Sequence, residues 1–187
     1  MARTESAMIQ LGTQAPHFSL TDVREGGTDS TGSLMGARGL LVMFICAHCP
    51  FVKHIERELA RLGEDYLDSG IGIAAISSND AEKYPDDAPS ALAEQALALG
   101  FTFPYLYDET QDVARAFDAA CTPDFFLFDS SGKLVYRGQF DSSRPGSDIP
   151  VTGKDLRAAL DALIAGKPIP EKQLPSLGCN IKWKTRL

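Results

Sequence analysis

No apolar run in this 187-residue chain approaches the ~20 residues that a membrane-spanning helix needs, and the amino terminus, MARTESAMIQLGTQAPHF, holds no apolar core of signal-peptide length. The expectation is a cytoplasmic protein. Basic residues are few and dispersed: 18 Lys and Arg stand against 25 Asp and Glu, giving a net charge of -7 with no basic block. A phosphate-binding surface is therefore not expected, and nucleic acid and membrane drop out as partners. Neither an internal repeat nor a linker divides the chain. The reading is one domain over 1–187, with a core at about 11–166 and a tail over 167–187.

Cysteine is also scarce. Four thiols are too few for a disulfide scaffold, and a chain of this length with 44% hydrophobic residues buries a core without staples. In a reducing compartment a close cysteine pair is more often catalytic or metal-binding than structural. One such pair exists, Cys46 and Cys49 in LLVMFICAHCPFVKH.

The segment around that pair is patterned strongly. LLVMFI (residues 40–45) is a continuous apolar run of strand length, as in a strand buried on both faces. From Pro50 onward, Val52, Ile55, Leu59, Leu62 and Tyr66 recur at three and four, which predicts an amphipathic helix with proline in its first turn. IGIAAIS (71–77) is a second buried strand, and strand–helix–strand implies a parallel pair. The acidic stretch DAEKYPDD reads as a solvated loop before a helix over about 90–99. FPYLYD is a short strand, ETQDVARAFD a short helix, and DFFLFD with LVYRGQ an antiparallel hairpin. Thr152 with Asp155 has the spacing of a capping box for a helix over 153–165. The proline-punctuated end, KPIPEKQLPSLGCNIKWKTRL, reads as a tail wrapping the surface.

The chemistry sits at the strand–helix junction. A thiol becomes a good nucleophile when ionised, and a helix amino terminus ionises it by presenting unpaired amides and the positive end of the dipole. Cys49, directly before Pro50, has that position, and His48 is a candidate cationic neighbour. Cys46 is near enough to attack a Cys49 sulfur that has been oxidised or joined to substrate. Cys49 is expected to be the more acidic and more exposed of the two.

The order strand, CxxC, helix, strand, then TPDFFLFD and a terminal helix resembles the thioredoxin fold. The stretches LGTQAPHFSLTD and GFTFPYLYDETQDVARAF resemble more narrowly the alkyl hydroperoxide reductase/thiol-specific antioxidant branch of that superfamily, over about residues 11–166. The resemblance implies an α/β domain with a central mixed sheet flanked by helices. It also implies a cis Pro123 beside the nucleophile, with Thr122 and Pro123 docking a substrate segment like an added strand. Two departures stand out. Laid on thioredoxin, Cys49 takes the nucleophile position, and the usual partner position falls on Val52. Laid on typical peroxiredoxins, Cys49 is peroxidatic, but Cys46 and Val42 stand where threonine and proline are expected, and the arginine expected near CTPDFF is missing.

These features point first to a thiol–disulfide oxidoreductase with Cys49 as nucleophile and Cys46 as resolving thiol, and second to a thiol peroxidase with the same pair. A third reading, a Cu or Zn carrier, has only Cys46, Cys49 and His48 as local ligands. No cofactor or metal is expected. The partners are a disulfide or peroxide substrate, protein or small molecule, and a thiol electron donor. Cys121 is a candidate accessory thiol or a core residue, and Cys179 a distant resolving thiol or a packing residue beside Ile181 and Trp183. His17 and His54 read as structural or solvated.

Overall fold

The computed structural model describes residues 3–185. Its elements run β1 (Arg3–Glu5), β2 (Ser19–Asp22), β3 (Thr28–Ser30), α1 (Thr31–Leu34), β4 (Gly39–Phe44), α2 (Pro50–Asp65) and β5 (Ile71–Ser77). After a single 3-10 turn at Pro85–Asp87 they continue with α3 (Pro89–Leu99), β6 (Tyr105–Tyr107), α4 (Asp112–Ala116), β7 (Cys121–Thr122), β8 (Asp124–Asp129), β9 (Leu134–Gly138), α5 (Lys154–Ile164) and β10 (Leu177–Asn180). Seven strands form one mixed sheet in the order β3-β2-β6-β5-β4-β8-β9, and β1-β10-β7 form a second, small sheet.

The apolar run 40–45 is buried on both faces, as its lack of alternation requires. β4 lies between β5, parallel, and β8, antiparallel. Leu41, Met43 and Ile45 meet Ile55, Leu59 and Leu62 of α2 and Leu156 and Leu160 of α5. Leu40, Val42 and Phe44 turn to the other face, against Ala114, Phe117, Phe126 and Phe128. Each large side chain taken fully out of water on these faces contributes about 1.5–3 kcal/mol. Burying both faces fixes the end of β4, and so the place where Cys46 and Cys49 emerge.

Three expectations are corrected. The acidic stretch is not simply solvated: Asp80 and Asp87 are buried, at 3% and 0% exposure, while Glu82 and Asp86 face solvent. The capping box at Thr152 does not form, because Gly153, at φ 67°, is the N-cap and Asp155 is engaged by Gln139 Nε2 at 2.6 Å. The Asp141 carboxylate instead accepts the amides of Thr152 and Gly153, each at 2.7 Å. Finally, the tail is no surface wrap at 177–180, where β10 runs as the middle strand of the small sheet. Its partner β1 lies ahead of the expected core at about 11–166.

Candidate active site

Cys49 is the N-cap of α2, with Pro50 at the first helical position and the Lys53 amide donating to the Cys49 carbonyl at 2.9 Å. As a thiol, Cys49 Sγ donates to the Thr122 carbonyl at 3.2 Å. Ionised, the same sulfur accepts from Cys46, and then from Cys179, Thr122 and the amide of Val52. The donation by Cys46 leads in pulling Cys49 down to about 5, against the opposing effect of burial. Cys46 moves the other way: its hydrogen bond to Cys49, its burial and the facing Asp87 carboxylate all raise it well above the usual thiol range. The pair therefore shares one proton unequally, with Cys46 the donor and Cys49 the sulfur ready to carry charge.

The turn between them is held from outside. Asp87 Oδ1 accepts the amides of Ala47 at 2.9 Å and His48 at 3.0 Å, and Oδ2 accepts His48 Nδ1 and Asn79 Nδ2, the latter at 2.8 Å. A fully buried carboxylate with four donors is stable there only because those bonds replace water. His48 stacks on Tyr84 with ring centroids 5.5 Å apart, and its Nδ1 stands 4.0 Å from Cys46 Sγ. Cys46, His48 and Asp87 offer donor atoms within 4.8 Å of one another, the spacing of a metal site. Asp87 would have to surrender its bonds to the turn to take a cation, so this donor set fits a structural clamp better than a metal centre.

Across the site, the Thr122–Pro123 bond is cis, as the resemblance implies. Thr122 Oγ1 lies 3.5 Å from Cys46 Sγ, so Thr122 touches one cysteine with its side chain and the other with its carbonyl. The backbone edge at Thr122 is paired within the chain: β10 runs antiparallel to β7, placing Cys179 opposite Thr122 and Asn180 opposite Cys121.

The sequence pattern of the AhpC/TSA family matches residues 11–137. The chain belongs to the AhpC/TSA family. Its relatives include the thiol-disulfide oxidoreductase ResA of Geobacillus kaustophilus, 28% identical over 134 residues, 70% of each chain. Among solved structures, an uncharacterized conserved protein from Geobacillus kaustophilus is similar over 100% of this chain and 99% of its own, at 56% identity and a TM-score of 0.98. The peroxidoxin BcpB of Mycobacterium tuberculosis has 18% identity and a TM-score of 0.62, over 84% of this chain and 97% of its own. At that identity the likeness is one of fold, which is thioredoxin-like.

This AhpC/TSA chain brings Cys46, Cys49, Thr122 and Pro123 together. His48 is near, but its interactions are with Asp87, Cys46 and Tyr84. Cys49 is more acidic than Cys46, as expected; it is not more exposed, since all four cysteines are buried. Cys121 donates to the Pro123 carbonyl at 3.5 Å, and burial, followed by the Asp124 charge, pushes its thiol far up, so it packs rather than reacts. His54 hydrogen-bonds Ser143 at 2.7 Å and His17 is exposed. Sequence reading missed Asp87 and Asn79, whose roles depend on bonds 39–40 residues and 8 residues long. No local pattern marks them.

Proposed function

We propose that the protein is a thiol–disulfide oxidoreductase in which Cys49 attacks the substrate disulfide. The observation that carries the reading is the Cys49 sulfur at the α2 N-terminus, ringed by donors and drawn down to about 5. At neutral pH this sulfur is a thiolate. Its attack on R–S–S–R′ forms the Cys49–S–S–R bond and releases R′S⁻, which takes a proton from solvent. A second thiol of the chain then attacks the Cys49 sulfur, closes an internal disulfide and releases RSH. Cys46, the partner that the CxxC spacing nominates, and Cys179 both adjoin Cys49. A thiol donor returns the protein to its dithiol form.

The family match supports a second reading, thiol peroxidase. There the Cys49 thiolate takes oxygen from ROOH to give a sulfenic acid and ROH, and a neighbouring thiol condenses with it, releasing water. Cys46 in place of the threonine of typical peroxiredoxins favours the first reading. Free thiols counted after one equivalent of an oxidised protein disulfide, and separately after one equivalent of hydrogen peroxide, decide between them. Two thiols should be lost faster to the disulfide, and Cys49→Ser should lose none. The rate should rise with pH around a midpoint near 5 and stay flat above neutrality. Faster loss to peroxide would put peroxidase first, and no loss in either arm would end both readings.

A further inference from the structure

β10 occupies the edge beside the cis Thr122–Pro123 bond and is tied down on both sides of the site. Before the strand, Ser176 Oγ donates to the Pro123 carbonyl at 2.6 Å, and Ser176 exchanges bonds with Ser6. After it, the Ile181 amide reaches the Ala120 carbonyl at 3.3 Å, and the Lys182 amide donates to Asn79 Oδ1 at 2.8 Å. Between these anchors Gly178 comes so close that a Cβ there would meet the Thr122 oxygen at 2.0 Å and the Pro123 nitrogen at 3.0 Å. Only a residue without a side chain lets β10 lie in this position. Its neighbour Cys179, paired with Thr122, packs in one apolar cluster with Cys46 and Cys49.

We propose that β10 is a built-in substrate mimic: it fills the docking edge and presents Cys179 to Cys49 as the resolving thiol. This rests on Cys49 being the attacking sulfur. The two candidate partners differ in their surroundings. Cys46 is held protonated by its hydrogen bond to Cys49, by burial and by the facing Asp87 carboxylate; burial and the same Cys49 sulfur push Cys179 up to about 12, with Lys182 acting the other way. Cys46 then serves as hydrogen-bond donor to the Cys49 thiolate. When an external disulfide R–S–S–R has formed Cys49–S–S–R and released one RSH, Cys179 loses its proton and attacks the Cys49 sulfur. The Cys49–Cys179 bond forms, the Cys49–S–R bond breaks, and the proton leaves with the second RSH. The product staples β10 over the site. The reduced strand, joined to β7 through only two residue pairs, opens locally to admit substrate.

Trypsin separates the alternatives by mass, because Cys46 and Cys49 share the peptide 39–53 while Cys179 lies in 173–182. The reduced full-length protein, C46S and C179S are each treated with one equivalent of oxidised glutathione, quenched and mapped without reductant. The unsubstituted protein and C46S should yield linked 39–53 and 173–182, and C179S should stall as the glutathione adduct of 39–53. A Cys46–Cys49 disulfide within 39–53, in both the unsubstituted protein and C179S, would overturn the assignment while leaving Cys49 as nucleophile. No adduct on any form would overturn both. Gly178→Ala tests the strand independently: it should raise iodoacetamide labelling of Cys49 severalfold and lower the yield of the linked peptides. Unchanged labelling and yield would show that β10 does not cover the site.

Discussion

Residues 46–50 and 177–180 meet at one sulfur from opposite ends of the chain. The first segment is continuous with a buried strand and an amphipathic helix, so its shape follows from its neighbours in sequence, and a single long-range group, Asp87, holds its turn. The second has proline and glycine around it and four residues of strand that pair with two distant pieces, β1 and β7. The difference shows how a reactive site can combine a rigid side, which sets the acidity of the nucleophile, with a side held by short pairing that can let go. Acidity needs fixed donors; access needs a cheap local opening.

The sharpest break of this comparison is at Asp87. Asp87→Ala leaves four donors, three of them from the half-buried Ala47 and His48, without their acceptor and should cost about 3–5 kcal/mol, read as a lower urea midpoint, with the Cys49 labelling profile displaced as the turn loosens. A fall below 1 kcal/mol would show that the turn holds itself. Next comes Asp124, just after Pro123 and fully buried; burial raises its carboxyl to about 7 from a usual 3.8. A carboxyl so raised favours the folded state fully below pH 4, and that contribution is lost as pH rises through 7. Asp124→Asn, which keeps an acceptor oxygen, should therefore gain about 4 kcal/mol relative to the parent between pH 4 and pH 8, measured by denaturation at both values. A pH-independent difference would mean that Asp124 is already ionised. The smallest effect belongs to the β10 side: Ser176→Ala removes one bond to the Pro123 carbonyl and should cost about 1 kcal/mol, with faster amide exchange confined to 177–180. Exchange quickened equally in 46–50 would erase the contrast between the two sides.

The reading from sequence succeeds where one segment carries its own pattern. The unbroken run at 40–45, the three-and-four spacing from Val52 to Tyr66 and the hairpin at 124–138 all declare themselves locally, and the resemblance placed Thr122–Pro123 against the cysteines. It fails where a residue acts through a partner far along the chain. Asp87 looks like one acid among several in DAEKYPDD, and only its bonds to Ala47 and His48 distinguish it from the exposed Asp86. Thr152 has the spacing for a capping box, yet Asp141 reaches that helix start first. Cys179 reads equally as a distant resolving thiol or a packing residue, and only the fold, by pairing it with Thr122 and setting it beside Cys49, separates the two.

By itself the sequence determined that a buried strand hands Cys46 and Cys49 to the start of a proline-led helix, because apolar periodicity and helix-start chemistry are short-range properties. The tertiary structure alone decided how the site is closed. A strand edge takes whatever backbone is held against it, and here the anchors at Ser176 and Lys182, with a glycine where no Cβ fits, hold the chain's own tail there.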